Sequence, residues 1–213
     1  MVRRQENFQS FYARLKPVYS TADLFDCDLA YIISKYACKN QVRMEKDASG
    51  RPVRSFEHPR RVALILIDEV KCIDPAMVKA SLLHDVLEDS KIFTAEKLER
   101  YFGAEVATIV KLISKVPKDG YIERLLAYAD WRTLMVKACD RLDNLRSLDC
   151  TPLAFQKKQI EETRSKYFAV LKRLQRIVNG DHAAGAAYVE REIKKIVRSY
   201  EKKFALLKKK GQI

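Results

Sequence analysis

Few residues in this chain break regular structure: it has six glycines and six prolines in 213 positions. No stretch alternates β-branched and polar residues around hairpin turns, which argues against an all-β domain. No apolar run approaches the roughly 18 residues needed to cross a bilayer. The opening MVRRQENFQSFYARL lacks the apolar core of a secretory signal, so a cytoplasmic location is expected. Five cysteines (Cys27, Cys38, Cys72, Cys139 and Cys150) form no CxxC pair, which speaks against a thiolate zinc site and fits reduced thiols. There is no internal repeat and no linker long enough to divide the chain.

What is present is helical periodicity and positive charge. Lysine and arginine outnumber aspartate and glutamate by 41 to 28, a formal net charge of +13 that favours an anionic partner without choosing among nucleotides, nucleic acid and membrane surfaces. Apolar residues recur at helical spacing in Phe8–Leu15, and in a second segment capped by Thr21 with Leu24, Leu29, Ile32, Ile33 and Tyr36 on its face. Residues 39–55 read as a loop broken by Gly50 and Pro52. Helices are predicted over 59–71, 75–84, 94–102, 104–114, 130–148 and 152–178, with Asp74 and Pro75 supplying a cap and a first turn. The last segment, about 187–210, carries an apolar stripe from Val189 to Leu207 and a basic opposite face. The economical reading of that segment is a helix packed on the body with its lysines in solvent; contact with RNA, an acidic partner or a membrane surface is the alternative. The fold class is all-α, in one domain: an N-terminal helical extension over 1–24, a core over 25–178 and the basic amphipathic helix over 179–213.

Three histidines allow each to be weighed. His58 lies where a loop meets a helix, and His182 sits in a Gly- and Ala-rich turn, read as exposed and without a role. His84 and Asp85 interrupt the apolar run Ala80–Leu87, and Glu88 and Asp89 follow one turn later. Burying such groups unpaired is expensive, which favours a metal or a substrate as the compensating partner. Asp140 continues the line of the apolar stretch Leu134–Cys139, with Asn144 one turn on. Two imidazoles and two carboxylates would form a mixed nitrogen and oxygen site, suited to manganese, iron or zinc rather than calcium. A His-Asp dipeptide alone is weak, since surface pairs and capping aspartates are common.

The order His, then His-Asp, then Asp in an all-α chain resembles the HD phosphohydrolase superfamily. Three stretches resemble, more narrowly, the hydrolase domain of RelA/SpoT alarmone enzymes and the small alarmone hydrolases. They are Arg54-Ser55-Phe56-Glu57-His58-Pro59, Ala80 through Ser90, and Val136 through Leu148. Weaker matches extend the likeness over about residues 25–175. The resemblance implies a helical bundle of about nine to ten helices and hydrolysis of the 3′-pyrophosphate of guanosine tetra- and pentaphosphate to GDP or GTP. It implies that His58, His84, Asp85 and Asp140 hold one manganese ion, and that Glu88 and Asp89 orient or deprotonate the attacking water. Arg43 would pack on the guanine base, and Asn144, Ser147 and Tyr167 would line the nucleotide pocket. Lys137 and Arg141 would help neutralise phosphates, unless they are structural cations.

Two departures stand out. Ala138-Cys139 replaces a common leucine-alanine, and Asp143 replaces a histidine or aromatic residue, adding negative charge close to an anionic substrate. The competing readings are a phosphohydrolase of the same scaffold acting on another nucleotide such as NADPH, and a non-catalytic protein that binds RNA or ribosomes through the basic helix. Nothing in 176–213 resembles an alarmone synthetase domain.

Overall fold

The computed structural model describes residues 7–47 and 49–211. The first six residues of the expected N-terminal extension, and the last two of the C-terminal segment, lie outside them. Helix α1 (Phe8–Leu15) opens on a capping box in which Asn7 Oδ1 accepts from Ser10 N–H at 2.8 Å and Ser10 Oγ accepts from Asn7 N–H at 3.0 Å. Helix α2 (Thr21–Ala37) is capped one residue earlier than predicted: Ser20, not Thr21, accepts from Asp23 N–H. Its buried face also differs from expectation. Cys27, Ala30, Tyr31, Ile33 and Ser34 turn inward, while Ile32 and Tyr36 are exposed. Small residues at 27, 30 and 34 let α2 lie close against its neighbour, a preference that a hydrophobicity pattern does not register.

The segment expected to be a loop carries a small antiparallel hairpin. Strand β1 (Val42–Lys46) pairs with β2 (Pro52–Arg54), the one sheet among the described residues. Its turn is organised by Asp47, whose carboxylate accepts from Ser49 N–H at 2.8 Å and Arg51 N–H at 3.0 Å, with Gly50 at φ 81°. Strands this short and polar give no periodic signal. The fold class remains all-α.

Three helices form the centre. Helix α3 (Glu57–Leu64) continues through a π-helical turn at Ile65–Glu69. Helix α4 (Pro75–Leu83) is capped by Asp74, which accepts from Met77 N–H at 3.0 Å, and buries every residue from Met77 to Leu83. Helix α8 (Trp131–Arg146) is capped by Asp130 and buries most of its length. These three pack on one another; α2 and α6 (Ala95–Ile113) flank α4. Helices α10 (Phe168–Ile177) and α11 (Ala183–Lys209) flank α8. The short α5 (Val86–Asp89) follows α4 after a break, and α7 (Tyr121–Tyr128) and α9 (Leu153–Glu162) complete the set. Gly103, at φ 84° and ψ 165°, interrupts α6 where the sequence separates two helices. The predicted single helix over 152–178 is a continuous rod containing a π turn at Thr163–Tyr167.

One hydrophobic core receives Phe11 and Leu15 from α1 as well as Val189, Ile193 and Val197 from α11. The lysines and arginines of α11 at 195, 198, 202 and 208–210 face solvent. His182 is half-buried, its ring stacked on Trp131 at 4.4 Å between centroids, which corrects the expectation of an exposed residue without contacts.

Helix α11 meets the end of the α3 rod at Gly185. A methyl group there would stand 2.6 Å from Val70 Cγ1 and 2.8 Å from the Val70 carbonyl oxygen. Gly185→Ala should therefore lower the urea midpoint. Overpacking costs about 1–3 kcal/mol, against about 1 kcal/mol of better helix propensity. An unchanged or higher midpoint would mean that α11 can move off Val70 freely.

Candidate active site

His58 occupies the first turn of α3, set by a turn in which its N–H bonds to Ser55 O at 3.0 Å. His84 ends α4. Its Nδ1 donates to the Ser81 carbonyl oxygen at 2.8 Å, which fixes the ring and directs Nε2 away from the helix. His84 is fully buried and Nε2 has no hydrogen-bond partner. The α4 helix does not continue through the His-Asp pair: the chain turns at His84-Asp85 and restarts at Val86, so His84 shares no helix with Glu88, while Asp85 caps α5 and its carbonyl accepts from Asp89 N–H at 2.9 Å. The break lets adjacent side chains converge, bringing Asp85 Oδ2 within 3.1 Å of His84 Nε2 and 3.9 Å of His58 Nε2.

Asp140 comes from the middle of α8. Its Oδ1 lies 3.0 Å from His58 Nε2 and 3.7 Å from His84 Nε2, and it accepts from Asn144 Nδ2 at 2.6 Å. Donor atoms of His58, His84 and Asp140 all lie within 4.8 Å of one another, and the two imidazole rings meet edge to face at 5.0 Å. Burial alone would raise the Asp140 carboxyl, but the Lys137 ammonium at 2.8 Å and the His58 hydrogen bond hold it well below the usual carboxylate range. Burial opposes a charge on His84, but the Asp85 carboxylate beside it lifts the ring to about 9. The cluster thus favours positive charge at its centre. A divalent cation fits this donor set: a buried imidazole nitrogen without a partner, a second imidazole and carboxylates around a common point.

The cluster opens onto a polar cavity of about 260 Å³. Arg43, His58, Asp85, Glu88, Asp89, Asp140 and Asn144 line it, so seven of the residues singled out in the sequence meet there. Glu88 Oε1 accepts from the Lys115 backbone N–H at 2.9 Å, and Asp89 Oδ2 accepts from the Cys38 thiol at 3.2 Å. Arg43 donates to Asn144 Oδ1 at 3.0 Å and to Ser147 Oγ at 3.3 Å, which places Ser147 behind the wall.

Three expected pocket residues are in the core instead. Lys137 is 2% exposed and lies beneath Asp140, between the rings of Tyr121 and Tyr167. Arg141 is bound to Thr163 Oγ1 at 2.9 Å and Gln159 Oε1 at 2.9 Å, with its guanidinium over the Tyr167 ring. Tyr167 is itself buried there, away from the cavity lining. These positions follow from α8 being central: only a narrow sector of that helix faces the cavity, and residues 137 and 141 flank it on the core side.

Sequence reasoning also missed two contributors. Lys115, in the turn after α6, lines the cavity with its ammonium 4.0 Å from Glu88. A lone lysine two residues before a proline carries no signal that would have picked it out. Asp143 does not add uncompensated charge near the cavity. It is 2% exposed, accepts from His58 Nδ1 at 2.7 Å and is paired with Arg61 Nε at 2.9 Å. Its spacing of three from Asp140 on one helix was the available clue.

Comparison with known proteins is consistent with this geometry. The HD domain family model matches residues 35–176. The zebrafish (Danio rerio) guanosine-3′,5′-bis(diphosphate) 3′-pyrophosphohydrolase MESH1 is 33% identical over 153 residues, covering 68% of this chain and 81% of that protein. A Brucella melitensis protein named GTP pyrophosphokinase rsh is 33% identical over 176 residues, but this chain spans only 22% of its length. A solved structure, described as a metazoan ortholog of SpoT that hydrolyzes ppGpp, superposes with a TM-score of 0.62 at 25% identity and covers 85% of this chain and 97% of that one. On the family match and the MESH1 coverage, this chain belongs to the HD-domain family, in the branch that contains the MESH1 and SpoT-type proteins.

Proposed function

We propose that this protein is a divalent-cation-dependent hydrolase that removes the 3′-pyrophosphate of guanosine tetra- and pentaphosphate, leaving GDP or GTP. The observation that carries the reading is the clustering of His58, His84, Asp85 and Asp140, three of which line a cavity together with Glu88 and Asp89. Relatives of this length that carry the name of that activity support the substrate. In this reading His58, His84, Asp85 and Asp140 hold the cation, and manganese suits a donor set intermediate between the imidazole-rich and all-oxygen extremes. When bound, such a cation polarises a phosphoryl oxygen and makes a water more acidic.

The chain's own residues supply the remaining parts. Glu88 and Asp89 act as the acidic pair that orients the attacking water and takes its proton. Glu88 is held for this by the Lys115 N–H and Asp89 by the Cys38 thiol. Arg43, steadied by Glu45, Asn144 and Ser147, offers a flat guanidinium to the purine. The Lys115 ammonium, half-exposed at the cavity, is the cation best placed to meet the phosphates. Lys137 serves the site from below by neutralising Asp140 rather than by touching substrate.

Two measurements test this reading. Purified protein with guanosine tetraphosphate should release pyrophosphate and GDP only when manganese is added. Asp85→Ala and Glu88→Ala should abolish or slow release, with kcat down about 10²–10⁴-fold for the Glu88 change. Cation binding without turnover, in a panel that also contains NADPH, would shift the substrate to whichever nucleotide is cleaved. Lys115→Ala should raise KM about tenfold with unchanged thermal unfolding, the size expected for one charge-assisted contact. Lys137→Met should instead destabilise the fold by about 3–5 kcal/mol, because it removes the ammonium that compensates the buried Asp140 carboxylate. The opposite pattern, with Lys137 affecting KM and Lys115 affecting stability, would reverse the two assignments.

A further inference from the structure

Behind the cavity wall, residues of α3, β1 and α8 form a closed circuit of hydrogen bonds. His58 Nδ1 donates to Asp143 Oδ2 at 2.7 Å. The same carboxylate accepts from Arg61 Nε at 2.9 Å and from an Arg61 terminal nitrogen at 3.0 Å. That terminal nitrogen also donates to Glu45 at 2.8 Å, and Glu45 accepts from Arg43 Nε at 3.2 Å. Arg43 donates to Asn144, Asn144 donates to Asp140, and Asp140 lies against His58 Nε2, closing the ring.

We propose that Asp143, braced by Arg61, is a positioning residue that fixes the tautomer and orientation of His58. An ionised carboxylate can only accept, so the short bond makes Nδ1 a donor and leaves Nε2 as the face available to a cation. That face points at Asp140 and the cavity. Both partners are almost wholly buried, at 3% and 2% exposure, so water does not compete for the bond. Arg61 makes the arrangement tenable: without its guanidinium, a second buried carboxylate 2.7 Å from His58 would be uncompensated. Carboxylates behind ligating imidazoles act in this way at metal centres generally, and their loss weakens cation binding about 10–100-fold. The proposal rests on the reading of His58, His84 and Asp140 as a cation centre. It explains how this chain accommodates an acid where the resembling family commonly has a histidine or an aromatic residue. It also ties Arg43, the cavity's guanidinium, mechanically to the histidine.

The test is a manganese titration of the full chain, reading the free ion by electron paramagnetic resonance, with no nucleotide present. Asp143→Ala should bind manganese about 10–100-fold more weakly than wild type. Asp143→Asn keeps a carbonyl acceptor for Nδ1 and should recover most of that loss. If Asp143→Ala does not fold, the double variant Arg61→Leu with Asp143→Leu removes both charges together and should show the same weakening in a folded chain. Wild-type affinity in the Ala and double variants would overturn the positioning role while leaving the centre intact. An Asn variant as weak as Ala would also overturn it, since charge rather than the acceptor would then matter. A wild-type chain that binds no manganese would remove the centre itself and the role of Asp143 with it.

Discussion

A carboxylate inside a central helix needs a counter-charge, and the ion pair of Lys137 with Asp140 at 2.8 Å meets that need on α8. Without it, the buried Asp140 carboxylate would keep His58 and Asn144 as partners but lose its ammonium counter-charge, and burying a charge without full compensation is costly. The ammonium of the pair lies 5.4 Å from the Tyr121 ring centre and 5.9 Å from that of Tyr167, so it meets side chains of α7 and of the π turn between α9 and α10. Arg141, one turn further along, joins α8 to that rod through Thr163 and Gln159. Both cations therefore serve the fold that positions the acid, and neither reaches the cavity.

The same constraint explains the second layer of charge. Asp143 is as buried as Asp140, and it is matched by Arg61 from α3. Arg61 in turn meets Glu45 of the hairpin, which orients Arg43 at the cavity rim. The hairpin is small, but it is the element that closes this sequence of alternating charges. Acids and bases alternate from His58 through Asp143, Arg61 and Glu45 to Arg43, so each charge in this circuit faces an opposite one.

A break in a helix does the rest of the work at the site. Had α4 run on through His84 and Asp85, their side chains would diverge by about 100°. Instead the chain turns between Leu83 and Val86, and the imidazole and carboxylate of adjacent residues face one point. The Ser81 carbonyl then holds the His84 ring so that its free nitrogen faces the cluster. An apolar helix that delivers one buried polar tip is stable because all its other positions, from Met77 to Leu83, are packed.

Much of this was legible in the sequence. Helical periodicity, rare glycine and proline, and the cap at Asp74 determined an all-α chain. The order His58, His84-Asp85, Glu88-Asp89, Asp140 marked residues that an apolar interior would not hold without reason. Tertiary structure alone decided which flanking cations face the cavity. The sequence left Lys137 and Arg141 open as phosphate partners or structural cations, and on a central helix a shift of three or one residues from Asp140 turns each side chain into the core. Lys115 and the pair of Arg61 with Asp143 reach the site from separate elements, and no local pattern records contacts 82 residues apart. Sequence specifies the groups that must be compensated; the packing of helices specifies which partner compensates them.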